Sequence, residues 1–155
     1  MSNTTKTITA GADISRSPRD VFGYISDAAR IPEWQSNVRR AEFAEPAAVG
    51  VGTRGREVRH VMGADRTITW EVTEYEPDHR YAVRGLDGPV RAHVTIELTP
   101  LGDGTATHLE CGIGFEGHGI GKLIAILART SADKDLPANL ARLKQRLEEQ
   151  RQAQP

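Results

Sequence analysis

The sequence predicts an α+β fold in which one seven-stranded antiparallel sheet is covered by a long C-terminal helix. Three observations predict it. From Asn37 to Phe115, apolar and polar residues alternate with period two, and turn residues break the pattern at short intervals. From about Gly117 to Glu149 the period becomes helical: Ile120, Leu123, Ile124 and Leu127, then Leu136, Leu140, Leu143 and Leu147, recur at spacings of three and four. An apolar stripe of that length needs a sheet face to cover. Near the N-terminus, Ser17-Pro18-Arg19-Asp20 is a helix start, which places two short helices between the first and second strands.

The elements follow in order. Lys6 to Ser15 reads as a strand with Ile8, Ala10, Ala12 and Ile14 on one side. After Ser17, Val21, Phe22 and Ile25 face the core; Asp27 caps a second short helix that Pro32 ends, leaving Trp34 just beyond. Six further strands span about 37–45, 53–62, 66–76, 79–87, 90–100 and 106–115. Their turns are Gly50-Val51-Gly52, Gly63-Ala64-Asp65, Glu76-Pro77-Asp78, Asp87-Gly88-Pro89 and Gly102-Asp103-Gly104. Short connections imply antiparallel neighbours. Pro137 following Asp135 predicts a kink or break in the long helix between Ser131 and Pro137.

Opposed residues of an antiparallel pair share a face. That rule places Val90, Ala92, Val94, Ile96 and Leu98 inward, joined across the next turn by Leu109, Cys111, Ile113 and Phe115. It also selects Ile68, Trp70 and Val72, then Tyr81, Val83 and Gly85. In the strand 53–62 the even row (Arg54, Arg56, Val58, His60, Met62) carries more apolar bulk and is placed inward; a shift of one residue would exchange the rows.

Composition bounds the function. The chain has 155 residues, 38% hydrophobic and 26% charged, with a net charge of −1. This is the size and make-up of one globular domain, 1–155, with an ordered core of about 5–149. The balanced charge argues against a nucleic-acid binder. No run reaches the length of a membrane span, the polar start lacks a signal-peptide apolar region, and the single Cys111 excludes an internal disulfide. A cytoplasmic protein is the expectation.

Several stretches together resemble the SRPBCC, or START-like, superfamily, the polyketide cyclase/dehydrase-like proteins of helix-grip fold. They are Ser17-x-Pro18-x-x-Val21-Phe22 with Asp27 and Pro32-x-Trp34; Gly50-x-Gly52-Thr53-Arg54; Val72-Thr73-Glu74-Tyr75-Glu76-Pro77-x-x-Arg80-Tyr81; and Gly104-Thr105-x-Thr107-x-Leu109. The resemblance covers roughly Thr5 to Glu149. It implies a curved sheet wrapped around the long helix, a hydrophobic cavity between the two, and members that bind lipids or polyketides, cyclise or dehydrate them, or assist partner proteins. It carries no universal catalytic set, so fold alone licenses a pocket and not a reaction.

The expected function is therefore binding of a small hydrophobic ligand of lipid, polyketide or aromatic type. The expected lining is Arg56, Val58, His60, Trp70, Tyr81, Val83, Ala92, Val94, Cys111, Ile113, Ile120, Ile124 and Leu127. The alternative is a cyclase/dehydratase-like enzyme in which His60 moves a proton while Arg56 or Tyr81 stabilises an oxyanion. A second alternative is a stress-response or partner-protein module using the charged tail helix. No metal site is expected: His79, His93, His108 and His118 lack ligand spacing, and no cofactor is implied. Gly117–Gly121 reads as a hinge before the long helix. The sequence leaves monomer and homodimer both open.

Overall fold

Alternating residues pair into one antiparallel sheet, described by a computed structural model over residues 3–4, 7–117 and 119–153. The elements are β1 (Ile8–Ile14), α1 (Pro18–Ile25), a 3-10 turn (Ala28–Arg30) and α2 (Ile31–Trp34). They continue with β2 (Val38–Phe43), β3 (Arg54–Val61), β4 (Ala64–Glu76) and β5 (Arg80–Gly85). The last are β6 (Val90–Leu101), β7 (Ala106–Gly117) and α3 (Gly121–Ala153). The strand order is β1-β7-β6-β5-β4-β3-β2, and the two-residue segment Asn3–Thr4 extends the β1 edge along Glu116 and Gly117. The seven-stranded sheet, the two short helices and the long final helix are those that the sequence predicts.

Local chemistry explains the helix starts. The Ser17 hydroxyl accepts from the Asp20 N–H at 3.2 Å, and Pro18 occupies the first turn, where its missing N–H costs nothing. The Asp20 carboxylate accepts from the Arg16 guanidinium at 3.2 Å. Pro32 opens α2 rather than ending a helix, and Trp34 is its buried last residue. Pro32 sits in the first turn, where its fixed φ suits the helix and its missing N–H costs no hydrogen bond.

Pro137 does not break α3, which runs unbroken from Gly121 to Ala153. A helix interior loses about 3 kcal/mol to proline, and tertiary packing here outweighs that loss. Leu136, Leu140, Leu143 and Leu147 are all buried, while Pro137 is exposed. This half of α3 is also tied down by polar contacts. Arg16, itself buried, donates to the Leu147 carbonyl at 2.7 Å; Lys144 donates to the Asp13 carbonyl; the Ser15 N–H donates to Glu148. Ile14, Val21, Leu109, Cys111, Leu140, Leu143 and Leu147 fill the space beneath.

Two register features decide which residues meet the helix. The β3–β4 hairpin turns on two residues, Met62 and Gly63, both with positive φ (52° and 79°), and pairs Val61 with Ala64. This is the two-residue hairpin whose twist suits a sheet. In β4, a bulge between Val72 and Glu74 carries Tyr75, not Glu74, onto the inner face opposite Tyr81.

Candidate functional site: the concave side of the sheet

The inner rows of β4 to β7 lie as the sequence predicts. Trp70 pairs with Gly85, Val83 with Val94, Ile96 with Cys111, Val94 with Ile113 and Ala92 with Phe115. Burial along these rows is uneven. Ile96, Leu98, Leu109 and Cys111 are buried beneath the anchored half of α3, whereas Val83, Ala92, Val94, Ile113 and Phe115 are only half-buried. The sheet side is therefore sealed at one end and incompletely covered at the other.

α3 explains the difference. Its first half turns Gly121, Ala125, Ala128 and Ala132 toward the sheet; Ala125 is buried and Ala132 packs on the core. Small residues let the helix backbone come close to the sheet here. The aliphatic stripe of the same half points the other way. Ile120 is 76% exposed, Leu123 69%, Ile126 57% and Leu127 58%, and Ile124 is half-buried. Ile120 and Leu127 are thus corrected from lining to outer surface. An apolar pattern fixes which residues share a face, and here the alanine face opposite packs closer to the sheet. At the corner before α3, a Cβ on Gly121 would lie 2.2 Å from the Pro89 carbonyl oxygen, so glycine there serves close approach. His118, expected in this corner, lies outside the described residues.

The β3 row is the second correction. The two-residue turn pairs Gly55 with Trp70, Glu57 with Ile68 and Arg59 with Arg66. The odd row therefore faces inward, and Arg56, Val58 and His60 lie on the outer face with Arg54. Reading the turn as Gly63-Ala64-Asp65 reverses this parity. Arg56 makes an exposed ion pair with Glu42 at 2.8 Å, and His60 Nδ1 sits 2.8 Å from Asp65. The His60 hydrogen bond holds the Asp65 carboxyl below its usual range.

The inner residues that replace them are Gly55, Glu57 and Arg59. Trp70 lies flat over Gly55: a Cβ there would come within 2.3 Å of the indole ring. Phe43 meets the same indole edge-to-face at 5.7 Å. Gly55→Ala is expected to push Trp70 off its rotamer and cost about 1–3 kcal/mol, read by denaturant unfolding with a shift in tryptophan emission. An unchanged midpoint would show that the ring has room.

Glu57 is buried and pairs with Arg59 at 2.8 Å. Arg59 also donates to Asn37 Oδ1 at 3.2 Å and to Gln35 Oε1 at 2.7 Å, so the segment after α2 holds it. All three guanidinium nitrogens are engaged, and the Glu57 charge is compensated where it stands. This ion pair is a buried polar feature of the inner face.

The remaining groups are quiet. Burial pushes the Cys111 thiol up to about 12, which leaves it protonated and a poor nucleophile. It is expected to resist a thiol reagent at pH 8 in the native protein and to react on unfolding. Burial also raises the Tyr81 phenol, keeping it a neutral donor beside Phe22 and Tyr75. The indole N–H groups of Trp34 and Trp70 are buried without an acceptor among the described residues. Among those residues no three potential metal ligands cluster, and no helix is long and apolar enough to cross a membrane.

Residues 5–148 match the family described as polyketide cyclase / dehydrase and lipid transport. The chain belongs to this family. An uncharacterized Mycobacterium tuberculosis protein, Rv1546, is 29% identical over 104 residues, which are 66% of this chain and 73% of that one. Among solved structures, the ZhuI aromatase/cyclase from Streptomyces sp. R1128 superposes with a TM-score of 0.80 at 14% identity, over 94% of each chain. The protein TTHA0849 from Thermus thermophilus gives 0.73 at 21% identity, over 92% of this chain and 97% of that one. A START superfamily protein from Mycobacterium smegmatis gives 0.73 at 16%, with the same coverage. At these identities the structures establish the fold alone. In this member of the polyketide cyclase/dehydrase family, sequence reasoning misses the Glu57–Arg59 pair. The signal that finds it is Gly63 as the second residue of a two-residue turn.

Proposed function

We propose that this protein binds a small hydrophobic ligand between the sheet and the first half of α3. One observation carries the reading: Val83, Ala92, Val94, Ile113 and Phe115 form a continuous inward apolar row that stays half-open. Alanines rather than leucines face that row from α3. A concave, mostly apolar surface with a few polar groups at its rim is what small-molecule sites offer. Trp70 and Tyr81 supply flat walls, and Glu57 with Arg59 supplies polarity near the open side. The family, described as polyketide cyclase / dehydrase and lipid transport, supports the same class of ligand.

The cyclase reading loses its acid/base group. His60 sits across the sheet from the concave side, and its ring is engaged by Asp65. Binding without His60 chemistry is therefore the function that the geometry supports best.

The test is native mass spectrometry of the purified protein with a panel of lipids and polycyclic aromatics, followed by titration on tryptophan fluorescence. Trp34 and Trp70 are the two tryptophans, and both are buried in this region. One ligand per chain with a shifted emission is expected. No bound species across the panel would overturn the reading.

A further inference from the structure

On the inner face of β2 to β6 the charges do not balance. Of the residues that pairing turns inward on β2 to β6, Glu57 is the one acid, and Arg59 already compensates it. Arg66 stands directly opposite Arg59 in the β3–β4 pair, so both point to the same face. It is exposed and has no carboxylate partner among the described residues. Like charges placed opposite across two strands repel, and nothing on this side of the sheet offsets the second one.

α3 adds another cation. Arg129 lies seven residues before Leu136, two turns along the same helical face, which places it about 10 Å further toward the open end. Leu136 is buried in the core, so Arg129 shares the core-facing side. It is half-buried, its Nε is shut away from water without an acceptor, and no carboxylate among the described residues pairs with it. From Gly119 to Ala132 the helix and its approach carry Lys122 and Arg129 and no acid; Asp133 and Asp135 follow, and neither is paired with Arg129. A half-buried guanidinium without an anion is unfavourable, because it loses hydration and gains no partner.

We infer that the ligand is an anionic amphiphile: an apolar body against Val83, Val94 and Ile113, and a carboxylate at the open end that compensates Arg66 and Arg129. A planar guanidinium offers a carboxylate two parallel hydrogen bonds, and low water access strengthens them. This rests on the binding site proposed above and names its ligand class. Arg66 and Arg129 are specificity residues. They select the acid over its neutral ester while the apolar row supplies affinity common to both.

The experiment compares dodecanoate with methyl dodecanoate on the full chain at pH 7.5 and low salt, read by tryptophan fluorescence and by calorimetry. The acid is expected to bind at least tenfold more tightly than the ester, with a preference that shrinks as salt is raised. Arg66→Gln and Arg129→Gln are each expected to weaken acid binding severalfold and leave the ester unchanged. Arg84→Gln, which removes an outer-face cation beside Glu71, is expected to change neither. Equal binding of acid and ester, or loss of both in the arginine variants, would overturn this inference while leaving the apolar site standing. Failure of both ligands to bind would overturn the site itself and this inference with it.

Discussion

Arg59→Met is expected to destabilise the protein by about 2–3 kcal/mol, measured by denaturant unfolding. The argument starts from Glu57, which is buried on the inner face and whose compensating charge is Arg59 at 2.8 Å. Removing the cation leaves a carboxylate that has lost its hydration and keeps no ion pair. For a fully buried pair that change costs about 3–5 kcal/mol; the Arg59 side chain keeps 24% of its surface in contact with water, which sets the lower figure. Gln35 and Asn37 lose a shared donor at the same time, so the segment after α2 is expected to loosen. The double variant Glu57→Leu/Arg59→Met removes both charges and is expected to recover most of the loss, because apolar pairs of similar volume replace buried ion pairs at little cost. A single variant costing under about 0.5 kcal/mol, the size of an ordinary surface change, would place β3 the other way round.

That same strand shows how far the sequence reaches. In β5, β6 and β7 the alternation is strict and the apolar rows are unambiguous, so inward residues such as Val83, Val94, Cys111 and Ile113 are legible before any coordinates. β3 has no such row. Its odd positions hold Gly55, Glu57, Arg59 and Val61, and its even positions hold Arg54, Arg56, Val58 and His60, with Met62 next in the even series. Apolar bulk favours the even row, and it is wrong because Trp70 itself covers Gly55. A glycine inside a strand marks a place where something else approaches closely, and that signal outranks bulk. Turn length then fixes parity, and Met62 is the residue that hides the turn. A non-glycine residue with φ of 52° is uncommon, so Met62-Gly63 does not announce a two-residue hairpin as Asn-Gly would.

The helix shows a different limit. Periodicity groups Ile120, Leu123 and Leu127 on one face, and it groups Gly121, Ala125, Ala128 and Ala132 on another. It does not say which face meets the sheet. Leucines are needed where the helix stands off over a full core, as at Leu140 and Leu143. Alanines suffice where the backbone comes close.

Leu143→Ala and Leu123→Ala therefore separate the two halves of α3 by their effects. Leu143 is 0% exposed, among Ile14, Val21, Leu109 and Leu147, and its truncation leaves a cavity that the anchored helix cannot collapse. A loss of about 2–5 kcal/mol is expected, which lowers the melting temperature by roughly 2–4 °C per kcal/mol for a chain of this size. Leu123 is 69% exposed, and the same truncation is expected to stay within about 0.5 kcal/mol. The chemistry of the two substitutions is identical and both sit in one helix, so intrinsic propensity cancels and only the surroundings differ. Thermal unfolding of the pair reads the difference directly. Were α3 rolled so that its aliphatic stripe met the sheet, Leu123→Ala would cost nearly as much as Leu143→Ala, and the half-open row of Val83, Val94 and Ile113 would be filled by this protein's own leucines. A large gap between the two variants instead places Leu123 on the outer surface.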